Sequence, residues 1–213
     1  MSFFKGLFKR SSPKSLPKTS PPKCPYCSSE LDKKPARKKK CPHCSQYIFV
    51  HKGNLLTQEQ KATIEGFYRL EPHGVTKKDF EKHINKLEAK YGSKPPINDV
   101  VWSILNELVS KRKNPSELSM IYDEMASFAQ SEGKDPKPYQ TQANKLQLIE
   151  YSHDDFVKQV EISIIEDAAC CDYCLSMANK KFPIKKAIKE MPIPGDCTSE
   201  HGCRCNYVAV MNI

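Results

Sequence analysis

Cys24-Pro-Tyr-Cys27 and Cys41-Pro-His-Cys44, with thirteen residues between them, decide how the N-terminal part of this 213-residue chain folds. Each C-x-x-C turn aims two thiolates out of a tight bend, and two such turns brought together by a short hairpin close one tetrahedral Zn2+ site of the ribbon type. Pro25 and Pro42 suit the bends. His43 stands immediately before the last cysteine and is expected to point away from the ion. A segment of about thirty residues with so few apolar side chains folds only when metal binding supplies the energy. A redox reading of C-x-x-C would need βαβ surroundings, which this segment lacks. Beyond the second pair, Gln46 to Val50 reads as a short strand.

Charge is concentrated around the same cysteines. Residues 1–52 carry 13 Lys/Arg against 2 Asp/Glu, whereas residues 53–213 carry 21 against 23. The net charge of +9 therefore belongs to the N-terminal quarter. Between the two C-x-x-C pairs lie Lys33, Lys34, Arg37, Lys38, Lys39 and Lys40, six cations in eight residues, expected at the tip of the ribbon hairpin. Such a run predicts contact with nucleic-acid phosphates, without base specificity because no helix is aimed at base edges. Tyr26 and Tyr47 can stack on bases, with core packing the preferred reading for Tyr47. A solvated charged loop is the competing reading.

Residues 1–23 precede the ribbon as a basic tail and linker. Phe3, Phe4, Leu7 and Phe8 share one face of a short helix, so residues 1–10 can touch an anionic membrane surface. Residues 11–23 are rich in Pro, Ser and Lys and carry no folding signal. Ser2 excludes N-myristoylation. No apolar signal segment and no run of about eighteen apolar residues is evident, so the chain is expected in the cytoplasm, where cysteines in C-x-x-C pairs mean metal rather than disulfides.

A helical period begins near Leu56. Thr57 with Gln60 forms a capping box for a helix to about Leu70, broken by Pro72 and Gly74. Thr76 with Asp79 starts a second helix, with Phe80, Ile84 and Leu87 at helical spacing. Val101, Ile104, Leu105 and Leu108 form the stripe of a third. Asn114 caps a fourth, with Pro115 at its first position and Leu118, Ile121, Tyr122, Met125 and Phe128 along one side. A fifth spans about 138–150. Ser152 with His153, Asp154 and Asp155 reads as a further helix start. Val160, Ile162 and Ile164 predict a strand, Ile184 to Glu190 a short helix, and Cys205 to Val210 a last strand.

Six more cysteines lie between 170 and 205. Cys171 and Cys174 form a third C-x-x-C pair, and Asn179 stands where a left-handed turn is useful. His201, Cys203 and Cys205 alternate, so an extended segment projects all three to one side, where they and the C-x-x-C pair can hold a second Zn2+, with buried or redox-sensitive thiols without metal as the competing reading. Cys197 can take the place of His201. Arg204 faces the other way, as an anion contact or a salt bridge.

The ribbon resembles small zinc ribbons of bacterial and phage proteins, which implies a zinc module only. Residues from about Val157 to Val210 resemble the C-terminal motif of the phage Mu F-like minor head (head morphogenesis) family. The resemblance rests on Cys171, Cys174, Phe182, Pro192, Pro194, His201, Cys203, Arg204 and Cys205. That family's pattern places two residues, usually beginning with Pro, between the His and C-R-C, whereas only Gly202 stands there in this chain. The resemblance implies a setting near phage capsids, portals or packaged DNA.

No metalloprotease, deaminase, P-loop, dinucleotide or nucleophile-elbow motif is present. The expected protein is therefore α+β: a zinc ribbon at 24–52, a helical domain at 53–152 and a small cysteine-rich α/β zinc-binding module at 153–213. Its expected role is that of a non-enzymatic adaptor. The ribbon would contact nucleic acid and the helices a portal- or capsid-like protein partner. A metal-dependent nuclease or hydrolase using the C-terminal cluster, or a membrane-surface protein, are the alternatives.

Overall fold

The computed structural model describes residues 21–167, 169–200 and 202–211. The apolar-basic stretch at 1–10 and His201 lie outside the described residues. The chain divides into two compact units, Met1–Lys61 and Ala62–Ile213.

In the first unit, strands β1 (Lys39–Lys40), β2 (Tyr47–His51) and β3 (Asn54–Leu56) form a three-stranded antiparallel sheet in sequence order. The β2–β3 hairpin turns through Lys52 and Gly53, both at positive φ (46° and 78°), with His51 opposite Asn54. Positive φ at both central residues gives a two-residue turn whose twist matches the strands, and Gly53 adopts it without strain. β3 was not anticipated from the sequence. The basic run also differs from expectation: Lys39 and Lys40 are not at a loop tip but in β1, paired with Ile48 and Tyr47.

The second unit opens with helix α1 (Gln58–Leu70), which the division of the chain cuts near its start. Its capping box is formed: the Thr57 N–H donates to Gln60 Oε1 at 2.9 Å and the Gln60 N–H to Thr57 Oγ1 at 3.1 Å. After a 3-10 turn at Glu71–His73 come α2 (Lys77–Tyr91), α3 (Ile97–Lys111), α4 (Pro115–Ser131) and α5 (Lys137–Ser152). Thr76 caps α2 by accepting from the Asp79 N–H, and Asn114 caps α4 by accepting from the Glu117 N–H. The apolar faces of these helices meet in one core, with Leu70, Val100, Val101 and Leu105 fully enclosed. Trp102 sits at its margin, with its ring 5.1 Å from Phe128 and its N–H donated to Glu132.

Ser152 does not begin a helix. It is the last residue of α5, its hydroxyl donates to the Ile149 carbonyl, and Asp154 Oδ1 accepts from the Phe156 N–H to turn the chain into β4 (Val157–Ser163). Asp and Ser suit helix ends and turns as well as helix starts, because their side chains bond nearby backbone groups in all three. β4 is the centre of a second antiparallel sheet, ordered β5-β4-β6, with β5 at Lys181–Pro183 and β6 at Asn206–Met211. Two short helices, α6 (Asp172–Met177) and α7 (Ile184–Glu190), lie in the intervening chain. Asn179 takes φ 57°, as its place in the turn requires. The second core gathers Val157, Val160, Ile162, Ile193 and Tyr207 with Leu148 from α5.

Candidate metal centres and the basic ribbon face

The two C-x-x-C turns of the ribbon are built alike. The Ser28 N–H bonds the Cys24 carbonyl at 2.9 Å and the Ser45 N–H bonds the Cys41 carbonyl at 3.0 Å, with Ser28 and Ser45 both at positive φ. These tight turns bring Cys24, Cys27, Cys41 and Cys44 into one group whose sulfurs all lie within 4.8 Å of one another. Cys24 and Cys44 Sγ are 3.8 Å apart, and Cys27 and Cys41 Sγ 3.9 Å. A tetrahedral ion with Zn–S bonds of about 2.3 Å separates its sulfurs by about 3.8 Å, which these two separations match. His43 is exposed and outside the group.

All ten cysteines are free thiols. In the ribbon the Ser29 hydroxyl, beside Cys27, draws that thiol down to about 6. At Cys44 the Gln46 N–H favours the thiolate, but burial and the three neighbouring thiols outweigh it and push the thiol up to about 12. The group thus presents a ready thiolate at one corner and a held proton at another, and zinc must displace that proton as it binds.

The C-terminal cysteines are arranged differently. Cys171 is the N-cap of α6 and Cys174 lies in its first turn, so this C-x-x-C pair is carried by a helix start rather than by a ribbon-type bend. Cys203 and Cys205 approach from the chain entering β6. Gln140 of α5 clamps that approach, donating to the Cys203 carbonyl at 3.1 Å and accepting from the Cys203 N–H at 3.3 Å. Gly202 precedes the clamp at φ 73°, and a Cβ there would come 2.7 Å from Gln140 Nε2, so glycine is needed for both conformation and space. Cys197 arrives on the loop after α7. Tyr207 accepts from the Ile193 N–H, and Tyr173 donates to the Pro192 carbonyl, fixing that loop against β6 and α6.

Two groups of three result: Cys171, Cys174 and Cys197, and Cys174, Cys203 and Cys205, with sulfurs within 4.8 Å inside each group. The closest approaches are Cys171 to Cys197 and Cys174 to Cys203, both 3.8 Å. Five thiols thus lie in two overlapping triads that share Cys174, and the cluster can hold a metal ion of thiophilic type. Cys170 stays outside both groups. Burial raises Cys174, and it pushes Cys203 and Cys205 up to about 12. Burial also opposes ionisation of Cys171, but backbone N–H groups of Cys174 and Thr198 and the adjacent thiols bring it down to about 6. Arg204 lies at the edge of the thiol cluster, near Cys170 and Cys205, and grips Asp167 with both terminal guanidinium nitrogens, Nη1 at 2.7 Å. It is therefore engaged in a salt bridge. Asp167 in turn accepts from the Ala169 N–H, which ties the segment before Cys170 to the C-R-C segment.

The ribbon's basic residues frame an aromatic surface. Tyr47 is 52% exposed, against the expectation of core packing, because its strand partner Lys40 shares the solvent face while the next residue, Ile48, faces the thiols. Lys38 Nζ stands 4.6 Å from the Tyr47 ring centroid and 5.1 Å from that of Phe49. Tyr26 uses its hydroxyl to accept from the Gln58 N–H at 2.6 Å, so its ring is tied down at the base of α1. Lys33, Lys34 and Arg37 are all exposed in the irregular stretch before β1. No described helix is long and apolar enough to cross a membrane.

Comparison of the chain with family models, with curated proteins and with solved structures gives no match.

Proposed function

We propose that this protein is a zinc-stapled, non-enzymatic adaptor that binds single-stranded nucleic acid across the β1–β2 face of its ribbon. The observation that carries this reading is the exposed Tyr47 ring, with Lys38 over it and Lys40 beside it in register. An aromatic face between cations gives a base a stacking platform and its flanking phosphates their counter-charges, without reading sequence. Zinc at Cys24, Cys27, Cys41 and Cys44 holds that face rigid, and its four thiolates leave no open position for a catalytic water. A second zinc at the C-terminal cysteines staples the segment that resembles phage Mu F-like minor head proteins. With that resemblance, the helical unit serves as the contact for a portal- or capsid-like protein.

The test is binding of a fluorescent oligothymidylate to the zinc-loaded protein over a salt series. Neutralising Lys38, Lys39 and Lys40 to Gln should flatten the slope of log K against log salt by about 2 for three lost contacts. Tyr47→Ala should weaken binding by about 1–3 kcal/mol while leaving the slope unchanged. An unchanged affinity in both variants would remove nucleic acid from the ribbon.

A further inference from the structure

The two cysteine centres group their sulfurs differently. Among the described residues, all four ribbon sulfurs lie within 4.8 Å of one another, whereas the five C-terminal sulfurs fall into two groups of three and no fourth sulfur joins either. Cys171, Cys174 and Cys197 form one triad, and Cys174, Cys203 and Cys205 the other. Zinc takes four ligands, so it must draw a sulfur of one triad toward the other. A soft monovalent ion satisfied by three thiolates finds its ligand set in each triad as it stands. Copper(I) is such an ion, and neither triad includes a carboxylate or imidazole among the described residues that would favour a harder metal.

The shared sulfur sits where a bridge requires it. Cys174 is 3% exposed in the first turn of α6, with Cys171 at the N-cap of that helix. Cys197 arrives on the loop after α7, and Cys203 and Cys205 on the chain entering β6. A thiolate has lone pairs enough to bind two ions, so Cys174 can serve both triads. Access is also paired. A cleft of about 330 Å3 beside the α4–α5 turn is lined by Cys197 and Cys203, one sulfur from each triad. Each triad thus offers an outer thiol at which an ion can be received by ligand exchange from a carrier.

We propose that the C-terminal cluster binds two copper(I) ions, one in each triad, with the Cys174 thiolate bridging them. The five thiols give up their protons as the two ions enter. Three negative charges then remain on the cluster, and the half-buried positions of Cys171, Cys197 and Cys203 leave them within reach of water. This loading uses the thiols assigned to the second zinc but does not depend on that assignment.

The test titrates the reduced, zinc-loaded full chain anaerobically with copper(I) held by bicinchoninate. Retained copper and zinc are counted after desalting, and the copper K-edge spectrum reads the neighbours of the metal. Zinc counted before any copper is added reads the zinc assignment by itself. Two copper ions and one zinc per chain are expected at saturation, with copper bound by three sulfurs and a copper–copper scattering path. Cys171→Ser and Cys205→Ser each break one triad and spare the other, so each should retain one copper and lose the copper–copper path. Amide dispersion of α2 to α5 verifies that the variants are folded. The proposal is overturned if the parent chain retains fewer than two copper ions, or shows no copper–copper path. It is overturned if copper displaces the ribbon's zinc before the cluster fills. A folded single variant that keeps both ions, or that loses both, would also overturn it, the latter by making the five thiols one site.

Discussion

The two cysteine centres differ in what surrounds them. The buried cluster beside the ribbon's thiols consists of Cys24, Leu31, Cys41 and Ile48, so half of it is the ligand set itself. The C-terminal centre borders a core in which Leu148, Val157, Val160, Ile162, Ile184, Ile193 and Tyr207 are buried beside Cys174 and Cys205. Burying Leu31 and Ile48, with Phe49 on the other face of β2, offsets only part of the entropy lost in ordering this segment, so zinc binding must supply folding energy there. In the C-terminal region an apolar core lies beside the thiols, so an ion there would add a local staple. Two sites of similar chemistry thus play unequal roles, because one is the core and the other adjoins one.

The largest expected effect follows directly. A strong chelator should collapse the amide dispersion of residues 22–56 while leaving far-ultraviolet ellipticity almost unchanged, since helices α2 to α5 carry no ligand. Retained ribbon dispersion after complete zinc removal would break the comparison at its root.

The next effect separates the ligand sets. Serine at Cys24, Cys27, Cys41 or Cys44 should each abolish one equivalent of bound zinc, because the ribbon has no spare thiol. Cys174→Ser should abolish the other equivalent, since both C-terminal groups need that sulfur. Cys203→Ser and Cys205→Ser, taken singly, leave four thiols in the cluster and should cost only about tenfold in zinc affinity. Replacing both should release the ion. Cobalt substitution reads this through the thiolate charge-transfer band, and loss of the ion in either single variant would show that the fifth thiol is not a substitute.

Much of this architecture was legible in the sequence because it rests on local chemistry. Thr57 with Gln60, Thr76 with Asp79 and Asn114 with Pro115 mark helix starts by groups a few residues apart, and all three caps are in place. Cys24, Cys27, Cys41 and Cys44 were legible for the same reason. The misses needed tertiary information or an overlooked turn. β3 depended on reading Lys52-Gly53 as a hairpin turn. The exposure of Tyr47 depended on strand register, which sends Ile48 inward. Cys197, by contrast, was legible as a thiol able to replace His201, and the loop that carries it is held by Tyr207 and Tyr173.

Acid should separate the centres further. Zinc-bound cysteines are deprotonated, so the zinc-loaded state holds fewer protons than the free one, and falling pH favours release. In the C-terminal cluster Cys174, Cys203 and Cys205 hold their protons more firmly than an ordinary thiol and Cys171 less firmly, whereas in the ribbon Cys44 holds its proton more firmly and Cys27 and Cys41 less firmly. The C-terminal ion must displace more protons and should leave first as pH is lowered from neutrality. Two separate steps in a zinc-release titration, with the ribbon's amides still dispersed after the first, are the expected record. Reversed order would mean that the C-terminal core strengthens its centre more than the protons weaken it.

The smallest effect concerns the Arg204–Asp167 pair, which exists only at the C-terminal centre. The guanidinium beside Asp167 and the Ala169 N–H hold its carboxyl at about 2. A carboxyl depressed on folding contributes stability above its unfolded value of about 4, and that contribution is lost as pH falls through the folded value. At neutral pH the pair is therefore fully charged and ties the segment before Cys170 to the C-R-C segment. Both side chains are partly exposed, which limits the strength of the pair. Asp167→Asn removes the charge but keeps a hydrogen-bond acceptor for Ala169. It should leave folding and zinc stoichiometry intact and speed zinc release from the C-terminal centre by only a few-fold, with the ribbon's release rate unchanged. Acceleration at both centres would mean that the loop is not acting locally. No acceleration at either would place the ordering of the C-R-C segment in the Gln140 clamp alone.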